Sequence, residues 1–376
     1  MKIFNKNEWK KVKLGDICDI LDSKRIPISE EKRIKGKYPY YGANGIQGYI
    51  NDYIFDEELV LLAEDGGNFG SKTKPIAYKI SGKTWVNNHA HVLKAKDEII
   101  STDFLLYSLM FYDVTKLITG TTRKKLTRAG MEKITLSIPT LSIQNKITNN
   151  LEKIENFIFL RKNQLNFLNE LNKSLFSKYS KSQKTKILEL GDICEFIKDG
   201  THQTPIYVDN KKDSFKFLSS KDVSKGVINW DNTKYITKEL HKELQKKISP
   251  KKNDILLAKN GTTGIAALVD KDEVFDIYVS LAILRLKDGY HPKYILGGIN
   301  SVETNQQFKR SLKGIGVPNL HLSEIKKVKI LIPPIELQNK FAERIEKIEK
   351  LKFEIEKSIE IAQNLYDSLI SKYFGN

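Results

Sequence analysis

The sequence predicts an α+β chain. Two mixed α/β units alternate with two long α-helices that pair as a coiled coil, so that the whole reads as a pseudo-twofold repeat. Three observations carry this. Ile138-Pro139-Thr140-Leu141-Ser142-Ile143-Gln144-Asn145-Lys146 returns 194 residues later as Ile332-Pro333-Pro334-Ile335-Glu336-Leu337-Gln338-Asn339-Lys340. The same offset carries Ser174-Leu175-Phe176-Ser177-Lys178-Tyr179 onto Ser368-Leu369-Ile370-Ser371-Lys372-Tyr373 without a gap. Upstream, Leu14-Gly15-Asp16-Ile17-Cys18 recurs as Leu190-Gly191-Asp192-Ile193-Cys194, so the globular parts repeat as well.

The first head opens at Leu14 and continues as short apolar runs between turn signals. Residues 38–50 carry Asn44-Gly45, a tight-turn dipeptide between alternating segments. Residues 59–63, Leu-Val-Leu-Leu-Ala, read as a buried strand, followed by the loop Glu64-Asp65-Gly66-Gly67-Asn68-Phe69-Gly70. Residues 77–80 and 90–94 read as further strands, residues 104–118 have helical spacing, and residues 134–138 form the last strand. Between these last two lies a loop, Thr119-Gly120-Thr121-Thr122-Arg123-Lys124-Lys125-Leu126.

The first long helix follows. Steps of four and three select Ile147, Leu151, Ile154, Ile158, Leu165, Leu168 and Leu175, with Arg161 and Asn172 as polar members of the same stripe. The apolar period holds over about five heptads, which is the pattern of a coiled-coil seam. A proline precedes each run, where its missing N–H costs least, and none interrupts it. About 37 helical residues at 1.5 Å each span roughly 55 Å.

Residues 180–186, polar and lysine-rich, link this helix to a second head. There residues 254–258 read as the buried strand, Lys259-Asn260-Gly261-Thr262-Thr263-Gly264 as its loop, residues 280–286 as a strand, and residues 294–299 as the start of a helix. Gly314-Ile315-Gly316-Val317-Pro318-Asn319-Leu320 aligns with residues 120–126, and residues 328–332 form the strand into the second long helix. Its stripe is Phe341, Ile345, Ile348, Ile355, Ile359, Tyr366 and Leu369, with Lys352 inside it. The second head is longer by 18 residues while the helix keeps its length. The expected division is 1–141, 142–180, 181–335 and 336–376: head, helix, head, helix.

Composition bounds the function. With 376 residues there is room for two cores, and 29% charged against 40% hydrophobic residues is globular material. A net charge of +17 favours a polyanionic partner, since neutralised phosphates release counterions. The two cysteines, Cys18 and Cys194, occupy equivalent places in two heads, which argues against a disulfide or a metal site between them. There is no run of 18 apolar residues, and Met1-Lys2-Ile3-Phe4-Asn5-Lys6-Asn7 lacks a signal-peptide core, so a cytoplasmic location without a membrane partner is expected.

Laid out in this way, the chain resembles the DNA-specificity subunit of type I restriction–modification systems. The resemblance rests on the two Ile-Pro entries with Gln144 and Gln338, on Tyr40-Tyr41-Gly42-Ala43-Asn44-Gly45-Ile46, Glu64-Asp65-Gly66 and Trp85-Val86-Asn87-Asn88-His89-Ala90-His91 in the first head, and on Asp199-Gly200-Thr201-His202-Gln203-Thr204-Pro205 and residues 216–223 in the second. The usual Glu-Gln pair at each helix start is altered here, to Ser142-Ile143-Gln144 and Glu336-Leu337-Gln338. The resemblance implies two target-recognition domains, antiparallel spacer helices, and double-stranded DNA with a split, asymmetric target. It further implies two methyltransferase (modification) subunits carrying S-adenosylmethionine, and a restriction/translocase subunit in the same assembly. No cofactor is expected in this chain.

Candidate phosphate contacts are Lys24, Arg25, Lys72, Lys74, Arg123, Lys124 and Lys125 in the first head, and Lys198, Lys221, Lys259 and Arg310 in the second. The run at 123–125 beside Thr121 and Thr122 suits a phosphate best. Side chains able to make paired hydrogen bonds to base edges are Asn44, Asn68, Asn87, Asn88, Arg123, Asn260 and Asn319; turn geometry accounts for several of these asparagines equally well. Thr201, Ser220, Thr262 and Thr263 add hydroxyls. His89 and His91 are expected to alternate onto one face as a structural or DNA-facing pair, since no carboxylate or thiol cluster completes a metal set. His202 reads as a turn residue beside Asp199.

No catalytic residues are expected. A methyltransferase needs a glycine-rich cofactor loop and an Asn/Asp-Pro-Pro-aromatic run, and Pro333-Pro334 lies between isoleucines instead. The glycine-rich loops lack a following Lys-Ser/Thr. Asp254 with Lys259 has no second carboxylate placed to share a metal. The expected function is therefore a non-catalytic DNA-reading subunit. Two other classes fit the same residues: a DNA-binding regulator or clamp that homodimerises through its coiled coil, and a stand-alone nuclease.

Overall fold

The computed structural model describes residues 5–71, 73–121, 123–209, 213–223, 226–312 and 319–375. The chain divides into two compact units, Met1–Lys162 with Glu356–Asn376, and Asn163–Ile355. Each unit holds one head and a part of both long helices, α1 (Leu141–Ser180) and α2 (Ile335–Phe374), of 40 residues each.

The heptad stripe is what the helices bury. In the first unit Ile147, Leu151, Leu369 and Tyr373 belong to the core of the head, with Ile154 and Tyr366 packed against it. In the second unit Phe341 and Ile345 are core residues, and Leu175, Phe176 and Tyr179 pack against them. The first turns of α1 thus meet the last turns of α2 in one unit, and the last turns of α1 meet the first turns of α2 in the other. Both pairings are antiparallel. Ile158, Ile348 and Ile355 are buried, and Leu165, Leu168 and Ile359 are half-buried. Each such side chain removed from water contributes about 1.5–3 kcal/mol when fully covered. The polar seam residue Lys352 reaches Asn169 Oδ1 at 2.5 Å.

The described residues of the first head form three sheets. Strand Lys10–Lys13 pairs antiparallel with Thr135–Ile138. A four-stranded antiparallel sheet runs Cys18–Ile20, Ala90–Ala95, Leu59–Ala63, Ala77–Ile80. A second four-stranded sheet runs Gly45–Ile50, Tyr38–Gly42, Lys83–Val86, Phe55–Asp56, with Tyr38–Gly42 parallel to Lys83–Val86. Leu59–Ala63 is covered on both faces, hence its unbroken apolar run.

The second head repeats this plan. Lys186–Glu189 pairs with Lys329–Ile332. The four-stranded sheet runs Cys194–Asp199, Leu281–Leu286, Ile255–Ala258, Ala266–Leu268, and the third sheet again has a parallel pair, Ser214–Leu218 with Phe275–Ile277. The helix Lys238–Lys247, capped by the Thr237 side chain, has no counterpart among the described residues of the first head. Both cysteines are free and buried, each at the first position of its strand, and burial pushes each thiol up to about 12.

Three local expectations change. The hairpin reverses at Ala43-Asn44, because Gly45 already pairs with Gly42 and takes a φ of +114° that glycine alone accepts readily. The helix expected over residues 104–118 stops at Met110, because Asp113 Oδ1 accepts from Thr115 N and turns the chain. The helix expected from residue 294 begins at Pro292, whose ring suits the first turn. Among the described residues no helix is long and apolar enough to cross a membrane.

Candidate nucleic-acid interface

Four candidate residues of the first head, Asn44, Asn68, Arg123 and Lys125, meet at the loop after strand Leu59–Ala63. Asn44 Nδ2 donates to Gly66 O at 2.9 Å, and Asn68 Nδ2 donates to Asn44 Oδ1 and Pro75 O. Asn87 is buried, donates to Gln47 Oε1 and accepts from His89 N. These amides therefore hold the loops. Asn88 is exposed. Leu126 N donates to Glu64 O at 2.7 Å, and an isolated bridge joins Asp65 to Lys125, so the basic loop is stitched to the same place.

Beneath it lies a buried charge network. Arg25 Nη1 meets Glu64 Oε2 at 2.6 Å and Ala90 O at 2.7 Å, and Lys125 Nζ meets Glu64 Oε1 at 2.8 Å. His91, 1% exposed, makes hydrogen bonds to Asp22 Oδ2 through Nδ1 (2.6 Å) and to Leu126 O through Nε2 (2.8 Å). Burial raises the Asp22 carboxyl, but the His91 hydrogen bond and charge, the Val92 amide and Arg25 outweigh it and hold the group below its ordinary range. Glu64 follows the same pattern, burial being outweighed by Lys125 and Arg25.

This network alters four sequence readings. Arg25 is committed to Glu64 and Asp22 and is not open to a phosphate. His91 is structural, and strand alternation does not relate it to His89, which sits in the turn ahead of Ala90–Ala95 and reaches Asp65 Oδ1 at 2.7 Å. Two carboxylates do stand beside His91: Asp22, Glu64 and His91 offer ligand atoms within 4.8 Å of one another. Arg25 and Lys125 already neutralise those carboxylates, so a dication there would meet two cations at contact distance. The run at 123–125 is divided, with Arg123 on Asp65 at 2.8 Å, Lys125 on Glu64, and Lys124 exposed with no carboxylate partner among the described residues. Lys24, Lys74 and Thr121 are exposed; Lys72 and Thr122 lie outside the described residues.

The second head places a residue of opposite sign at the same scaffold position. Lys259 follows strand Ile255–Ala258 as Glu64 follows Leu59–Ala63, and Leu320 N donates to Lys259 O as Leu126 N does to Glu64 O. Lys259 is 6% exposed and its Nζ lies 2.6 Å from Asp199 Oδ2. It is a buried ion pair rather than the phosphate contact expected. Asn260 and Asn319 form the bridge equivalent to Asp65 and Lys125, and both Oδ1 atoms are buried without a hydrogen-bond partner among the described residues. Asp199, His202, Lys259, Asn260, Asn319 and His321 line one cavity of about 560 Å³. His202 is exposed, with Nε2 3.3 Å from Asp199. Thr201 bridges Tyr278, Ser220 N donates to Ser280 Oγ, and Thr263 Oγ1 donates to Gly261 O. Lys198, Lys221, Thr262 and Arg310 are exposed. Residues 313–318, most of the loop aligned with 120–126, lie outside the described residues.

Sequence reasoning missed Asp22, Glu64, Asp65 and Asp199 as organisers of these loops. Acidic side chains are discounted when a polyanion is sought, and only the fold shows that they orient the cations.

The chain matches the sequence profile described as type I restriction modification DNA specificity domain twice, over residues 6–170 and 183–363. It is 28% identical over 385 aligned positions to a Haemophilus influenzae protein named for a type I restriction enzyme specificity subunit, covering 94% of this chain and 91% of that one. It is 24% identical to the type I restriction enzyme MjaVIII specificity subunit of Methanocaldococcus jannaschii, covering 92% and 87%. Its fold is similar to the crystal structure of the type I restriction-modification S subunit of M. genitalium, with a TM-score of 0.63, 15% identity, and 100% and 98% of the two chains covered.

Proposed function

The chain belongs to the type I restriction–modification DNA-specificity family, and from that premise we propose that it reads a split, asymmetric DNA target, one half-site with each head, and docks two methyltransferase subunits on its helices. The observation that carries the reading is the matched pair of scaffolds with unlike surfaces. The two-stranded sheet and the sheet built on the buried strand have the same strand order in both heads, yet Glu64 and Asp65 in one stand where Lys259 and Asn260 stand in the other. Equal frames with different side chains at the same loop suit two different base sequences. The four-part division at 141, 180 and 335 is then functional: readers at 1–141 and 181–335, spacers between and after. Helices of equal length in both repeats suit a fixed gap between half-sites.

Two partner copies are supported by the helices. Phe157, Phe159, Phe167 and Leu171 are 39%, 61%, 75% and 44% exposed, and the residues 194 positions on, Leu351, Phe353, Ile361 and Leu365, are 53%, 66%, 60% and 46% exposed. An apolar set left open twice, at the repeat offset, suits two copies of one partner. S-adenosylmethionine chemistry on an extracted base belongs to that partner, and this chain holds the duplex in register. A restriction/translocase subunit would join the same assembly in the cytoplasm. The test is methylome sequencing of the host with and without the gene. A split motif that vanishes on deletion is expected. Methylation by the purified chain alone, or a motif without a gap, overturns the reading.

A further inference from the structure

We propose that Arg123 reads a guanine in the half-site of the first head, and that Asp65 and His89 are the positioning residues that aim it. The inference rests on the DNA-reading function above and deepens it to one base. Asp65 Oδ1 accepts from Arg123 Nη2 at 2.8 Å and from His89 Nδ1 at 2.7 Å. Because a carboxylate only accepts, His89 Nδ1 carries its proton, and the 3.4 Å approach of Arg123 Nη2 to that nitrogen is not a second bond. Asp65 is itself fixed: its side chain is 14% exposed, and its backbone bridges Lys125. The Arg123 side chain is 66% exposed, and Nε and Nη1 have no protein acceptor among the described residues. Nη2 gives one N–H to Asp65 and keeps a second, which with the neighbouring N–H of Nε or Nη1 makes the two-donor fork left free.

Charge and direction separate the two uses such an arginine can have. A phosphate contact works through net charge and needs little orientation. Asp65 removes most of that charge from Arg123 while fixing the plane of its fork. What survives is directional donation of two parallel N–H groups, the pattern that matches guanine O6 and N7. Lys124, next in the chain, has the opposite character: exposed, and with no carboxylate partner among the described residues. It suits the phosphate. In the second head the place of Asp65 is taken by Asn260, which cannot neutralise an arginine, so this device belongs to the first half-site alone.

The experiment uses the full chain assembled with its modification subunit and a duplex carrying its methylated motif. Binding is measured to the native duplex and to duplexes with each guanine in turn replaced by 7-deazaguanine. One substitution in one half-site is expected to weaken the wild type by about tenfold or more, and to have no further effect on Arg123→Ala. Asp65→Asn should reduce discrimination at that same guanine and nowhere else. Lys124→Ala should leave discrimination intact and lower the slope of log K against log salt by about 0.9. The proposal is overturned if neither half-site contains a G·C pair, if Arg123→Ala leaves all deaza effects in place, or if Arg123→Ala weakens every duplex alike with a reduced salt slope. A wild-type assembly with no sequence preference would instead remove the DNA-reading function itself.

Discussion

Gln144 and Gln338, 194 residues apart, are structural equivalents, since each is buried at the start of a long helix and ties that helix to its own head. Gln144 Oε1 accepts from Ser101 N, and its Nε2 donates to Ile99 O and Pro139 O. Gln338 Oε1 accepts from His291 N, and its Nε2 donates to Pro333 O. An amide is needed because the site presents donors and acceptors together, which neither a carboxylate nor an apolar side chain satisfies.

Replacing Gln144 by Leu leaves Pro139 O, buried, and Ser101 N and Ile99 O, part-buried, without that partner. The expected cost is about 2–3 kcal/mol, since each orphaned buried group is expensive while a satisfied bond gains little. The loss should appear as a lower urea midpoint and faster amide exchange in the first unit, with Gln338→Leu doing the same in the second. Unchanged midpoints would show that the amide ties contribute nothing.

The exposed phenylalanines make a contrasting prediction. Phe159→Ser and Phe353→Ser should change stability by no more than about 0.5 kcal/mol, because both side chains are already largely in water. Each single variant is expected to co-purify with one modification subunit instead of two, and the double variant with none. Mass measurement of the assembly reads this directly. Two full copies on the double variant would place the docking surface elsewhere.

Asp199→Ala tests the buried ion pair of the second head. Removing the carboxylate leaves the Lys259 ammonium, 7% exposed in its side chain, without its partner at 2.6 Å. Breaking such a pair costs about 3–5 kcal/mol, mostly as the penalty on the stranded charge. Asp199→Leu combined with Lys259→Met should recover most of it, since an apolar pair of similar volume strands nothing. If the double variant is no better than the single, Lys259 has a role beyond the pair.

What could be read from the residues alone was what repeats locally. The seam residues Ile147, Leu151, Phe341 and Ile345 announce themselves through a period of three and four, and burial follows from that period. Strand Leu59–Ala63 is legible for the same reason. Lys259 and Arg25 were not, because their partners lie 60 and 39 positions away and only strand pairing brings them together. Whether a lysine is solvated or paired is decided by tertiary contacts, to which single-sequence patterns are blind. The helix Lys238–Lys247 escaped for another reason: Leu240 and Leu244 are its only apolar residues, so its buried face rests on His241 and Leu244 with little apolar period to reveal it.

Acid should attack the first unit before the second. Asp22 and Glu64 are held below their ordinary values of 3.8 and 4.5, burial being outweighed in Asp22 by the His91 hydrogen bond and charge and in Glu64 by Lys125 and Arg25. A carboxylate whose folded value is depressed stabilises the fold above its unfolded value, and that stability is lost as pH falls through the folded one. The window therefore lies below about pH 4.5. Asp276 in the second unit is shifted the other way: burial raises it, and the His241 and Gln245 hydrogen bonds only partly oppose this. A raised carboxyl favours the folded form while protonated, so its contribution is present below its unfolded value of 3.8 and fades as pH rises through the folded one. Hydrogen exchange followed from about pH 6 to about pH 3 should show strand Ala90–Ala95 losing protection while strand Phe275–Ile277 keeps it. Asp22→Asn should flatten the pH dependence of the first unit at a lower plateau, because the amide neither titrates nor offers His91 a charge. Equal loss in both units, or an unaltered profile in Asp22→Asn, would mean that the buried network beneath the Arg123 loop does not govern acid stability.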